Sequence, residues 1–252
     1  MGTSRRVLLL FAVAIWNPPD RGMGGERVDE SAFSVTSIVA HKLAFDRPHD
    51  IELQGDLAFI PGKGGSIAIV DVAQPDSPRI VWHQHDPRGL DDAETVLLID
   101  NWLFLGTNDF ISIDIRDPRR PVFEEKLSKA GEIAHINGMV RRGDTILAVG
   151  KSGFLAAYDV SDPASPTLAG AVNVRKEHDI RRPHDVDLFA AYAVIAAPRR
   201  FGRAKESGRL ALFQVFDHDR EQLLPPERWK LTGLAATEEL LGANRVQVSG
   251  HY

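Results

Sequence analysis

The sequence contains no cysteine. That excludes disulfide cross-links, thiolate metal centres and cysteine nucleophiles together, so the fold rests on packing and backbone hydrogen bonds. A membrane-spanning helix is not indicated either: the apolar run from Val7 to Trp16 falls well short of the roughly 20 residues such a helix needs. Positive charge is not in excess, with 30 Lys and Arg against 35 Asp and Glu and a formal net charge of −5, which argues against a nucleic-acid partner. The basic cluster Arg199, Arg200, Arg203 and Lys205 reads as a solvated loop. No GxSxG elbow, no glycine-rich phosphate loop before a helix and no HExxH occur, so the common signatures of serine hydrolysis, phosphate binding and zinc proteolysis are missing.

What is present is the composition of a globular protein. The 252 residues are 43% hydrophobic and 26% charged, enough for one large domain or two small ones. At the N-terminus Arg5 and Arg6 precede the apolar run, the shape of a secretory signal. Ser4 to Leu9 also resembles a twin-arginine export signal, although Asn17-Pro18-Pro19 stands where a small-residue cleavage site is expected. Residues 1–28 are therefore a signal-like segment, with a periplasmic or extracellular location expected; a mis-assigned N-terminus makes the protein cytoplasmic.

Internal repeats organise the remainder. Arg47-Pro48-His49-Asp50 returns as Arg182-Pro183-His184-Asp185. An aspartate followed by prolines four and seven residues later occurs at Asp71, Asp114 and Asp159, and a decayed copy at Gln214 has His218 for its first proline. Around each anchor lie four short β-type runs, as in the first repeat IEL (51–53), LAFI (57–60), SIAIVDV (66–72) and RIVWHQH (79–85). Four strands in a repeat of about 45 residues are the blade of a β-propeller. A β-sandwich also uses short strands but needs no fixed internal motif at that period.

The pattern of a Gly-Asp pair, a glycine turn and IVDV before two prolines resembles the LVIVD-repeat β-propellers of bacterial and archaeal exported proteins. The resemblance covers about residues 33–252 and implies the fold more than an activity.

The expected fold is all-β: a propeller of four-stranded antiparallel blades over 29–252, with repeats starting near 49, 94, 137, 184 and 244. An irregular insertion at 217–243 carries a helix from about Leu234 to Leu241. Ser34 to Ala44 reads as the fourth strand of a blade, completing the last one. Asn244 to Tyr252 opens a fifth repeat, so the chain reads as a C-terminal truncation.

Aligned on the turns, His49, Glu94, Asn137, His184 and Asn244 share one column at one mouth of the channel, and Asp50, Thr95, Gly138, Asp185 and Arg245 share the next. His135 competes with Asn137 for its place. His85 and His178 enter the same face. Imidazole with carboxylate suits one divalent metal such as Zn, Mn or Fe, or Ca in an oxygen-rich site, with Asp50 and Asp185 orienting the imidazoles. Alternatively, such residues bridge adjacent blades, the aspartates accepting backbone N–H bonds. The first functional reading is a module that binds a small molecule or protein at the channel mouth. A metal-dependent hydrolase, lactonase or oxidoreductase at the same His/Glu/Asn site is the second, and a structural surface protein the third. No catalytic residue is assigned.

Overall fold

A computed structural model describes residues 37–128, 133–198, 208–219, 222–237, 240 and 244–249. The signal-like segment and the basic cluster at 199–205 lie outside the described residues. Sixteen strands form four antiparallel four-stranded sheets, each a meander in chain order. Blade one comprises β1 (Glu52–Gln54), β2 (Leu57–Gly62), β3 (Ser66–Asp71) and β4 (Arg79–His85); blade two comprises β5 (Thr95–Ile99), β6 (Trp102–Gly106), β7 (Phe110–Asp114) and β8 (Val122–Leu127). Blade three runs through β9 (Ile136–Arg142), β10 (Thr145–Gly150), β11 (Phe154–Asp159) and β12 (Thr167–Val172). After a short helix, α1 (Val174–His178), blade four runs through β13 (Asp185–Phe189), β14 (Tyr192–Ala197), β15 (Gly208–Gln214) and β16 (Lys230–Thr237). Among the described residues no helix is long and apolar enough to cross a membrane.

The middle strands of the first three blades are buried almost throughout because those blades are covered on both faces. They therefore read as continuous apolar runs, whereas β8, with one face in solvent, alternates exposed and half-buried positions along its length. Three clusters cement successive blades: Phe59, Ile67 and Ile69 against Leu103, Leu105 and Ile111; Phe104 and Phe110 against Ile146 and Tyr158; Leu147, Val149 and Leu155 against Ile195 and Phe213. In the second, the rings of Phe110 and Tyr158 stack at 4.0 Å. Trp82 and Trp102 pack on the first two clusters.

The anchor aspartates end the third strands by accepting the N–H two residues on, at Ala73, Arg116 and Ser161. This is an Asx turn, satisfied by a short carboxylate beside its own backbone. Gln214 occupies the equivalent position, opposite Tyr192 as Asp71 is opposite Leu57.

Two expectations are corrected. Of the helix placed at about Leu234 to Leu241, residues 234–237 belong instead to β16 (Lys230–Thr237), inside the supposed insertion, while 238, 239 and 241 lie outside the described residues. Strand β16 is the true outer strand of blade four: its ladder is bulged between Leu212 and Phe213, as the outer ladders of the other blades are between Ile69 and Val70, Ser112 and Ile113, and Ala157 and Tyr158. Leu-Thr-Gly-Leu-Ala-Ala-Thr is helix-compatible by propensity, but the exposed edge of β15 supplies a ladder that local preference does not outweigh. Second, residues 37–44 form no strand and do not complete the last blade. Val39 and Phe45 instead cover Ala58, Ile60, Val70 and Val72 on the face of blade one turned away from blade two.

Candidate functional site at the channel mouth

The residue two before each column position has a left-handed backbone without being glycine: Arg47 (φ 56°), Asp92 (59°), His135 (59°) and Arg182 (55°). Each costs on the order of 1 kcal/mol. The cost is met because the kink hands the chain from the outer connection into the innermost strand and fixes an amide bond, as where Arg47 and His135 carbonyls accept from the N–H of Lys63 and Lys151. This resolves the third repeat. His135 belongs to the outer rim, where its Nδ1 lies 3.0 Å from Asp92 Oδ2. Asn137 belongs to the inner ring, projected there by the irregular register at Val149/Gly150 in the β9–β10 ladder.

Glu94 is the centre of that ring and is fully buried. Its carboxylate accepts from Asn137 Nδ2 and Lys151 Nζ, Lys63 Nζ is 3.1 Å away, and His49 Nε2 is 3.8 Å away. Lys151 also reaches Asp92 at 3.5 Å. Both lysines occupy one repeat position, immediately after Gly62 and Gly150 at the ends of β2 and β10. A Cβ at Gly62 would lie 2.5 Å from the Asp46 carbonyl, and one at Gly150 2.5 Å from that of His135, so glycine lets the rim pass and the next side chain turn inward.

The two His-Asp pairs act as latches between blades. His49 Nδ1 donates to the Glu94 carbonyl at 2.9 Å, while Asp50 Oδ2 accepts from Thr95 Oγ1 at 3.0 Å and the Val96 N–H at 3.3 Å. The second pair repeats this geometry on residues 244–246. His184 Nδ1 donates to the Asn244 carbonyl at 3.2 Å, and Asp185 Oδ2 accepts the Val246 N–H at 2.8 Å. Arg245 then reaches Asp50 at 2.8 Å. In the third repeat, where the pair is Asn137-Gly138, contact is steric: a Cβ on Gly138 would lie 2.7 Å from Asp185 Cα.

A carbonyl can only accept, so each imidazole carries a proton on Nδ1, which leaves Nε2 as the ring atom that can act as a ligand whenever the ring is neutral. His49, Glu94 and His184 thereby offer three ligand atoms within 4.8 Å of one another. His184 is held neutral, its pKa lowered to about 4 by burial first and then by Lys151, His49 and Lys63, with the Asn244 carbonyl opposing. Burial also raises Asp185 above the ordinary carboxyl range, against the bond from Val246 and the charge of Arg245. For Asp92 burial works upward too, but hydrogen bonding with Glu94 and His135 and the charges of Lys151 and Lys63 bring it below that range.

The mouth therefore gathers four of the candidate residues, His49, Glu94, Asn137 and His184; Asp50 and Asp185, expected to orient the imidazoles, instead accept from Thr95, Val96 and Val246, and backbone carbonyls hold the rings. His85 and His178 stay apart: His85 pairs with Asp46 at 3.2 Å, and His178 packs edge-on against Phe213. Sequence reasoning missed Lys63 and Lys151. Their repeated Gly-Lys at one repeat position was the available signal.

Comparison with known proteins agrees with this architecture. A putative 6-phosphogluconolactonase from Bacteroides uniformis superposes with a TM-score of 0.56 at 12% identity, over 74% of this chain and 56% of that one. BamB from Moraxella catarrhalis gives 0.45 at 15%, over 69% and 46%, and the computationally designed Ika4 protein 0.48 at 11%, over 66% and 92%. The chain thus spans about half the length of the first two structures, and at these identities the likeness concerns the fold alone. Comparison with curated proteins gives no significant match. The LVIVD repeat model matches residues 48–83 and 149–174, which fall on blades one and three. The chain thus carries LVIVD repeats on two of four propeller-type blades.

Proposed function

We propose that this propeller is a binding module whose channel mouth takes a small polar molecule carrying hydroxyl or amine donors. The observation that supports this reading is the pair of imidazoles, each held through Nδ1 by a backbone carbonyl, beside a buried carboxylate. Water at that position leaves at little cost when a donor replaces it, and each polar contact made in a partly desolvated pocket contributes to selectivity. Lys63 and Lys151 add donors for a carboxylate, phosphate or carbonyl on the same ligand. Catalysis is not required by this arrangement, since both lysines are engaged with Glu94 and the imidazoles already serve as latches.

The test is a thermal-shift screen of amino acids, amines, polyols and sugar acids, run with a chelator present, on the full chain and on His49→Gln/His184→Gln. A ligand that raises the melting temperature of the parent and not of the variant supports the reading. If every hit shifts both proteins equally, the mouth is not the site.

A further inference from the structure

We propose that His49, Glu94 and His184 form a site for a divalent transition metal, and that Lys63 and Lys151 are resident counter-cations which the metal displaces. This deepens the reading of the mouth as a binding site and rests on it. Three independent features of the chain converge here.

The donor set is the first. Two imidazoles and one carboxylate from three different blades, with ligand atoms within 4.8 Å, are the protein part of an open tetrahedral site of the kind zinc occupies with water or substrate in the fourth position. With bonds of about 2.0 Å the edge of such a tetrahedron is about 3.3 Å. The 3.8 Å between His49 Nε2 and Glu94 Oε2 needs only a small contraction, and His184 closes by a side-chain adjustment. Imidazole nitrogen selects zinc, iron or manganese over calcium and magnesium, which require oxygen.

The second is the support around those donors. Each imidazole gives its Nδ1 proton to a backbone carbonyl, Glu94 for His49 and Asn244 for His184. That is the outer contact that fixes tautomer and ring direction in histidine metal ligands. His49 in addition turns its second nitrogen to the Glu94 carboxylate, 3.8 Å away.

The third is the pair of lysines. A buried carboxylate needs positive charge nearby, and Glu94 has two ammonium groups supplying it. Both are on flexible stems with the side chains partly exposed, 26% for Lys63 and 17% for Lys151. Lys151 already has Asp92 as a second partner at 3.5 Å, so it can leave Glu94 without losing a counter-charge, while Lys63 can swing to solvent. The metal and the ammonium groups compete for the same oxygens, so removing the lysines tightens metal binding.

The experiment is a titration of the chelator-stripped full chain with Zn2+ and with Co2+, whose visible absorption reports tetrahedral coordination. Parent, Lys63→Met/Lys151→Met and His49→Ala/His184→Ala are compared. One ion per chain is expected for the parent, at least tenfold tighter binding for the lysine variant, and loss of binding for the histidine variant. Lys63→Gln alone, with an intermediate gain, keeps the comparison should the double lysine variant fold poorly. Lysine variants that bind no better than the parent overturn the competition, and histidine variants that still bind one ion overturn the site. Because the ligand screen above is run with chelator, a small-molecule shift that survives while Zn2+ fails to bind removes the metal and leaves the binding module.

Discussion

Replacement of Glu94 by glutamine tests whether the ring of polar groups is held by this one buried charge. The substitution keeps size and one acceptor oxygen but puts an NH2 against groups that also donate: Asn137 Nδ2, Lys151 Nζ and Lys63 Nζ. Breaking a buried pair by removing one partner costs about 3–5 kcal/mol when the remaining charge stays dry. Here both ammonium groups can rehydrate, since their side chains are 26% and 17% exposed, so the expected loss is about 2–3 kcal/mol. For a domain of this size that corresponds to roughly 4–10 °C in melting temperature. The assay is thermal unfolding by circular dichroism in chelator at neutral pH, with Lys63→Met/Lys151→Met in both backgrounds to close a double-mutant cycle. The loss should shrink to under about 1 kcal/mol once the lysines are gone, because the charges no longer depend on each other. A Glu94→Gln protein that melts within a degree of the parent, or a loss unchanged by removing the lysines, refutes the keystone role of Glu94.

Three further outcomes follow from the same contacts. Asp50→Ala and Asp185→Ala each strip the acceptor from a neighbouring backbone N–H, at Val96 and Val246; each should cost about 1–2 kcal/mol in urea unfolding, with faster amide exchange at those two residues. Gly138→Ala forces a Cβ to within 2.7 Å of Asp185 Cα and should cost at least as much as overpacking does, about 1–3 kcal/mol, while Gly143→Ala, which meets nothing within 4 Å but has a φ of 54°, should cost about 1 kcal/mol. His184 is neutral in the fold down to about pH 4 and takes a proton near 6.5 when unfolded. Between those values the unfolded state binds more protons, so stability falls as pH drops from about 6.5 to 4. Discounted for the partial exposure of the ring, the loss is on the order of 1–2 kcal/mol, and His184→Gln should flatten that part of the pH–stability curve.

The sequence by itself determined the blades. A period near 45, Asx turns that cap their own backbone, and the continuous apolar runs of the middle strands are all local consequences of strand geometry and burial, so they are written in consecutive residues. The same alignment placed His49, Glu94, Asn137 and His184 in one column, because position along a repeated strand carries over to position around the ring. The tertiary structure alone decided three things. It turned 230–237 into the outer strand of blade four, since pairing with β15 is a contact between residues distant in sequence. It separated His135 from Asn137, because a left-handed kink and an irregular ladder choose which side chain points inward. It also brought Lys63 and Lys151 onto Glu94: the repeated Gly-Lys marks their shared position, but only the packing of three blades shows that both meet one carboxylate and turn a ring of candidate ligands into a buried charge with its own counter-ions.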